Sequence, residues 1–186
     1  MIWTIPNILT FGRLIAAPCV ALVFVVFERP LADWLAFWIF IGAAATDFFD
    51  GWLARKLDQV SELGKMLDPI ADKAMVVIAL AVILALGGLT FWLVVPCAVI
   101  WSREILISGV REYLGSIKLR VTLAAKLKTT AQMVAIGTVL LFFATELMVL
   151  FWLGLGMLWV AAGLTFATGW DYFSKAIRHL HEREAT

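Results

Sequence analysis

Charged residues, cysteine and histidine are scarce in this sequence. Only 16% of its 186 residues are charged, the formal net charge is +1, and two cysteines and two histidines occur. A net charge so close to zero gives no reason to expect a nucleic-acid partner. Cys19 and Cys97 each lie inside an apolar run, which argues against a disulfide framework. His179 and His181 are two residues apart and would point to different faces of a helix, which disfavours a histidine metal site.

Apolar residues dominate the chain instead. The sequence is 63% hydrophobic, well above an ordinary soluble domain. A membrane-spanning helix needs roughly 20 mostly apolar residues, and six stretches meet or nearly meet that length, at 5–27, 31–54, 67–86, 91–113, 125–144 and 148–176. No long polar linker separates them. The sequence therefore predicts an all-α polytopic membrane protein in which residues 1–186 form a single six-helix transmembrane domain. It leaves open whether the third helix begins at Pro69 or has already begun near Ser61.

The positions of lysine and arginine predict the orientation in the membrane. Short cytoplasmic loops are enriched in these residues, and six spans place both termini on one side. Of the 15 basic residues, only Arg29 then falls on the other side. We therefore expect both termini to face the cytoplasm. Trp34, Trp92 and Trp152 fall near the opposite boundary and Trp170 near the cytoplasmic one, as expected of an interfacial aromatic belt.

Four aspartates surround the connection between the second and third helices. Asp47 and Asp50 share a helix face at i and i+3, and Asp68 and Asp72 share a face at i and i+4. Four carboxylates converging near a membrane repel one another, so they require a cation. Oxygen ligands favour Mg²⁺ or Mn²⁺ over zinc. The alternative, that they are ordinary solvated carboxylates, is disfavoured by the apolar residues around Asp47 and Asp72.

Small residues and one arginine accompany these aspartates. Gly51, Ala54 and Gly64 would permit close approach of a phosphate-bearing ligand, and Arg55 offers a planar fork suited to phosphate oxygens. Taken alone, the small residues are equally well explained by helix packing.

Together the segment has the pattern D-x2-D-G-x2-A-R-x8-G-x3-D-x3-D, which resembles the motif of the CDP-alcohol phosphotransferases at every fixed position. The resemblance implies a six-helix membrane fold, usually dimeric, with an active site open to the cytoplasm. It further implies divalent metal, expected as two Mg²⁺ or Mn²⁺ ions, on the four aspartates, with Asp72 also acting as the catalytic base. It places the CDP moiety near Gly51, Ala54, Arg55 and Gly64.

A second set of charges bears on the acceptor alcohol. Arg103 and Arg111 are eight residues apart, close to one helical face, and Lys128 starts the fifth helix at the same side of the membrane. Three converging cations would suit a phosphate on the acceptor. The alternative is that Arg103 pairs with a motif aspartate and that Lys128 only anchors the interface.

Segments 101–112, 126–133 and 7–13 are similar to the bacterial phosphatidylglycerophosphate synthase branch of that family. This resemblance covers nearly the whole chain. It implies CDP-diacylglycerol as donor, sn-glycerol 3-phosphate as acceptor and a place in the bacterial cytoplasmic membrane. Thr10 and Arg13 are expected to bind CDP-diacylglycerol, although an interfacial cap and a snorkelling cation would explain them equally well.

Two other functions are compatible with parts of the pattern. Intramembrane acids also mark the ion pathways of transporters, but here they gather at one membrane face and the sequence has no internal repeat. Within the family, phosphatidylinositol-phosphate synthesis is the nearest alternative, because its acceptor also carries a phosphate.

Overall fold

The structure is a computed structural model that describes residues 4–56, 61–114 and 123–184. Six helices occur in chain order: α1 Ile5–Val26, α2 Leu31–Lys56, α3 Glu62–Gly87, α4 Phe91–Leu114, α5 Leu123–Thr145 and α6 Met148–Glu184. No strand occurs within the described ranges. Each helix overlaps one of the six predicted stretches, so the all-α prediction is confirmed.

Five of the helices are long and apolar enough to cross a membrane over their described residues. The exception is α2, which carries Asp33 in its first turn and Asp47 further along. The protein is therefore a multi-pass membrane protein, and the crossing by α2 stays a prediction. In the long α6, the apolar span runs from Met148 to Trp170. Trp92, Trp152 and Trp170 are 62%, 67% and 65% exposed, as side chains of an interfacial belt should be.

The structure decides where the third helix begins. α3 starts at Glu62, and Ser61 caps it by accepting a hydrogen bond on Oγ from the Gly64 backbone N–H at 2.9 Å. Pro69 lies inside this helix. The two turns before Pro69 therefore belong to α3, and they place Gly64 and Asp68 on the same rigid element as Asp72.

Two groups of helices build the bundle. α1 packs on α2 and α3, α6 packs on α4 and α5, and α5 also contacts α2. The core consists of apolar side chains from all six helices, among them Val20, Phe40, Leu80, Ile83, Ile100, Ile136, Leu140 and Leu158. Successive helices run in alternating directions, so the start of α1, the end of α2 and the start of α3 meet at one end of the bundle. The buried polar residues Asn7, Thr10 and Arg13 lie at this end of α1.

Candidate active site

Three motif aspartates meet at one arginine. Arg13 of α1 is 3% exposed, and its Nη1 donates hydrogen bonds to Oδ1 of Asp47 and Oδ1 of Asp72. Its Nη2 donates to Oδ1 of Asp68 at 3.2 Å. The predicted convergence of the second and third helices is thus observed for these three carboxylates, and α1 supplies their cation.

Thr10 completes this cluster from one turn earlier on α1. Its Oγ1 donates a hydrogen bond to Oδ1 of Asp68 at 2.7 Å, and the threonine is 1% exposed. Thr10 and Arg13 were predicted to bind the donor substrate, and the structure places both on the aspartates. Direct contact with the donor therefore stays a prediction for them.

The start of α3 is joined to α1 by a polar contact around Asn7. Ser61 Oγ donates to Asn7 Oδ1 at 2.6 Å, and Asn7 is 2% exposed. A Cβ at Gly64 would lie 2.8 Å from Asn7 Oδ1, closer than real Cβ contacts allow. A residue larger than glycine at position 64 would therefore displace the Asn7 side chain or the start of α3. The sequence pointed to Asn7 only as part of the segment 7–13 and to Ser61 only as a possible start of the third helix. It did not predict their contact.

Several predicted residues lie outside the described side chains. They lie within the helical backbone of α2 and α4, but their side chains fall outside the described part of the structure. These residues are Asp50, Gly51, Ala54, Arg55 and Arg111. Their predicted roles stay predictions.

The donor set of the aspartate cluster fits a hard divalent cation. Asp47, Asp68 and Asp72 bring three carboxyl groups against one guanidinium, which leaves an excess of two negative charges among these four side chains when all three are ionised. Their side chains are 36% to 46% exposed, so an ion could reach them. All the donors are oxygen, as Mg²⁺ and Mn²⁺ prefer. Within the described ranges no three acidic, histidine or cysteine side chains form a ligand group by themselves. Each of these three aspartates instead accepts a hydrogen bond from Arg13.

A second, cationic cluster lies between α4 and α5. Lys128, which is 4% exposed, forms an ion pair with Oε1 of Glu104. Arg103 Nη1 donates to the same oxygen at 3.1 Å. Arg103 and Lys128 are thus brought together as predicted. The partner that they share in the described structure is Glu104 rather than a motif aspartate.

Lys73 links this cluster to α3. Its Nζ donates to Ser108 Oγ, and that hydroxyl donates to the backbone oxygen of Glu104 at 2.6 Å. Asp72 therefore contacts α1, while its neighbour Lys73 contacts α4. Sequence reasoning passed over Lys73 and Glu104, although an ionisable residue within an apolar span is itself a signal of function.

Several buried polar atoms of α4, α5 and α6 could form further hydrogen bonds. Buried side-chain atoms without a hydrogen-bond partner within the described part of α4, α5 and α6 are Trp101 Nε1, Arg103 Nε, Gln132 Oε1 and Thr165 Oγ1. Buried polar groups are ordinarily paired. Gln132 follows Lys128 by one helical turn, so it falls on the same face of α5.

The family model described as CDP-alcohol phosphatidyltransferase matches residues 3–167. The chain belongs to this family. Among curated relatives of this CDP-alcohol phosphatidyltransferase, a protein of Cereibacter sphaeroides is 48% identical, with 99% of this chain and 100% of the relative covered. A protein of Rickettsia bellii is 41% identical over 91% of this chain and 93% of its own, and one of Pectobacterium atrosepticum is 39% identical over 98% and 100%. All three are named CDP-diacylglycerol–glycerol-3-phosphate 3-phosphatidyltransferase.

Proposed function

We propose that this protein transfers the phosphatidyl group of CDP-diacylglycerol to sn-glycerol 3-phosphate, giving phosphatidylglycerophosphate and CMP. This activity is the one named for relatives that match the chain over nearly its full length. It also belongs to the chemistry of the family to which the chain belongs.

The observation that carries the proposal is the pair of oppositely charged clusters on two sides of α3. Asp68 and Asp72 turn toward α1, where the carboxylates predominate. Lys73 turns toward α4, where the cations predominate. An enzyme that transfers a phosphatidyl group from a metal-bound diphosphate to an acceptor carrying its own phosphate needs both environments next to each other.

In the reaction, the acceptor hydroxyl oxygen forms a bond to the phosphorus of the phosphatidyl group while the bond from that phosphorus to the CMP oxygen breaks. Asp72 is proposed to take the hydroxyl proton. Two divalent cations, either Mg²⁺ or Mn²⁺, would in our proposal be held by the four aspartates Asp47, Asp50, Asp68 and Asp72. Bound metal supplies electrostatic stabilisation of the diphosphate and of the departing CMP.

Different residues are proposed to bind the two substrates. For CDP-diacylglycerol these are Thr10, Arg13, Gly51, Ala54, Arg55 and Gly64. The phosphate of glycerol 3-phosphate is assigned to Arg103, Arg111 and Lys128. Burial of Lys128 and the orientation of Arg103 toward the same carboxylate support the second assignment.

We further propose a single catalytic domain over residues 1–186, acting as a homodimer in the bacterial cytoplasmic membrane, with both termini and the active site facing the cytoplasm. Cross-linking in native membranes tests the dimer.

The function is tested with purified protein in lipid, supplied with CDP-diacylglycerol, Mg²⁺ and one alcohol at a time. We expect CMP release with glycerol 3-phosphate, its loss on chelation of the metal, and its return with Mg²⁺ or Mn²⁺. Glycerol and serine serve as acceptors without a phosphate. Greater turnover with inositol phosphate would move the acceptor to the alternative branch, and no CMP release with any alcohol would contradict the enzymatic proposal.

A further inference from the structure

Glu104 lies at the centre of the cationic cluster. Its Oε1 accepts from both Arg103 and Lys128, and its side chain is 13% exposed. Two neighbouring cations in a region of low dielectric repel one another strongly. A carboxylate oxygen shared by both offsets that repulsion and fixes the separation of their nitrogens.

The charges of this cluster do not balance. Lys73, Arg103 and Lys128 carry three positive charges, and Glu104 carries one negative charge. The described cluster thus has an excess of two positive charges. A phosphate monoester carries roughly −1.5 to −2 at neutral pH, so its charge complements that excess.

Arg103 is also constrained along its stem. Gly169 of α6 is buried against it, and a Cβ at residue 169 would lie 2.8 Å from Arg103 Cγ. Only glycine lets the stem pass α6 at this distance. Any larger residue would push the arginine away from Glu104 or separate α6 from α4.

We propose that Glu104 and Gly169 are positioning residues for the acceptor phosphate. Glu104 holds the charged ends of Arg103 and Lys128 together, and Gly169 gives the Arg103 stem its path. This inference rests on the proposed function and extends it, because neither residue needs to touch the reacting atoms. Both act on where the cations stand when the phosphate of glycerol 3-phosphate binds.

The test compares Glu104→Gln, Glu104→Asp and Gly169→Ala with the wild type by CMP release, titrating each substrate separately. For Glu104→Gln and Gly169→Ala we expect the KM for glycerol 3-phosphate to rise about tenfold or more, since a hydrogen bond to a charged group is at stake. The KM for CDP-diacylglycerol should stay within about twofold. Glu104→Asp should recover part of the loss.

Gly163→Ala is the matched control. Gly163 lies on the same helix as Gly169, but a Cβ at Gly163 would meet nothing within 4 Å. It should leave both KM values unchanged.

Equal rises in both KM values, or loss of kcat alone, would show a merely structural role and overturn the inference. A lower KM for glycerol 3-phosphate in Glu104→Gln would show that Glu104 competes with the phosphate and would also overturn it. If the wild type releases no CMP with glycerol 3-phosphate, the proposed function itself fails. If the wild type is active and Glu104→Gln and Gly169→Ala have its KM for glycerol 3-phosphate, this inference alone fails.

Discussion

At the scale of single residues, Arg13 connects three of the four motif aspartates. Its guanidinium donates hydrogen bonds to Asp47, Asp68 and Asp72, which belong to helices other than α1. The planar fork of arginine allows this, whereas the point charge of lysine would not reach three carboxylates with the same geometry. Arg13 thereby holds together carboxylates that would otherwise repel one another.

Asp72→Asn separates proton transfer from metal binding. A neutral amide cannot accept the hydroxyl proton, so we expect turnover to fall by about 10²- to 10⁴-fold. The amide oxygen and the other aspartates should retain much of the affinity for Mg²⁺. CMP release and calorimetric Mg²⁺ titration measure the two effects. Glu28→Gln is the control, because Glu28 is an exposed carboxylate at the other end of the bundle. Substantial turnover in Asp72→Asn would show that Asp72 is not the base.

Arg13→Ala leaves the three carboxylates without this cation. Breaking a buried ion pair costs about 3–5 kcal/mol, and the partial exposure of the aspartates reduces our expectation to about 1–2 kcal/mol of unfolding free energy. Because Mg²⁺ can neutralise the same carboxylates, the loss should be larger in chelator than in Mg²⁺. Thermal unfolding of the protein in lipid under both conditions measures this.

Arg29→Ala is the comparison for that experiment, since Arg29 pairs with Asp33 away from the motif aspartates. Its effect should not depend on Mg²⁺. An Arg13→Ala loss of equal size with and without Mg²⁺ would show that the aspartates do not bind the ion.

At the scale of elements, α3 organises both clusters. Successive residues of a helix are about 100° apart, so Asp72 and Lys73 project toward different neighbours. The early start of α3, capped by Ser61, adds the turns that carry Gly64 and Asp68. The site therefore depends on how closely the first turn of α3 approaches α1.

Gly64→Ala tests that approach. The added Cβ would stand 2.8 Å from Asn7 Oδ1, and overpacking of this kind costs about 1–3 kcal/mol. We expect a lower melting temperature and a loss of CMP release of about tenfold or more, because Asp68 moves with the helix start. Gly42→Ala, whose Cβ meets nothing within 4 Å, should have neither effect. Wild-type stability and turnover in Gly64→Ala would show that the contact at Asn7 is readily relieved.

At the scale of the whole molecule, the alternating direction of the helices brings the charged clusters to one end. The aspartate cluster uses the start of α1, the end of α2 and the start of α3, and Lys128 stands near the start of α5. Residues distant in sequence thus share one face of the bundle, and the opposite face carries Arg29 and the connection between α3 and α4.

This arrangement predicts the sidedness of two engineered cysteines. In a background without Cys19 and Cys97, Leu89→Cys should react with an impermeant maleimide added to intact cells, since Leu89 is 83% exposed between α3 and α4. Thr186→Cys should react only after permeabilisation. Labelling in the reverse order, or of both from outside, would contradict the proposed cytoplasmic termini.

Apolar length and fixed spacing are local properties of the chain, so they were enough to predict the helices, the aspartate motif and the family. It could also predict that Arg103 and Lys128 lie at one membrane side. It could not assign Arg13 to the aspartates, Glu104 to Lys128, or Gly169 to the Arg103 stem, because each of these contacts joins different helices. Such pairings depend on which helix faces meet, and only the tertiary packing of the bundle decides that.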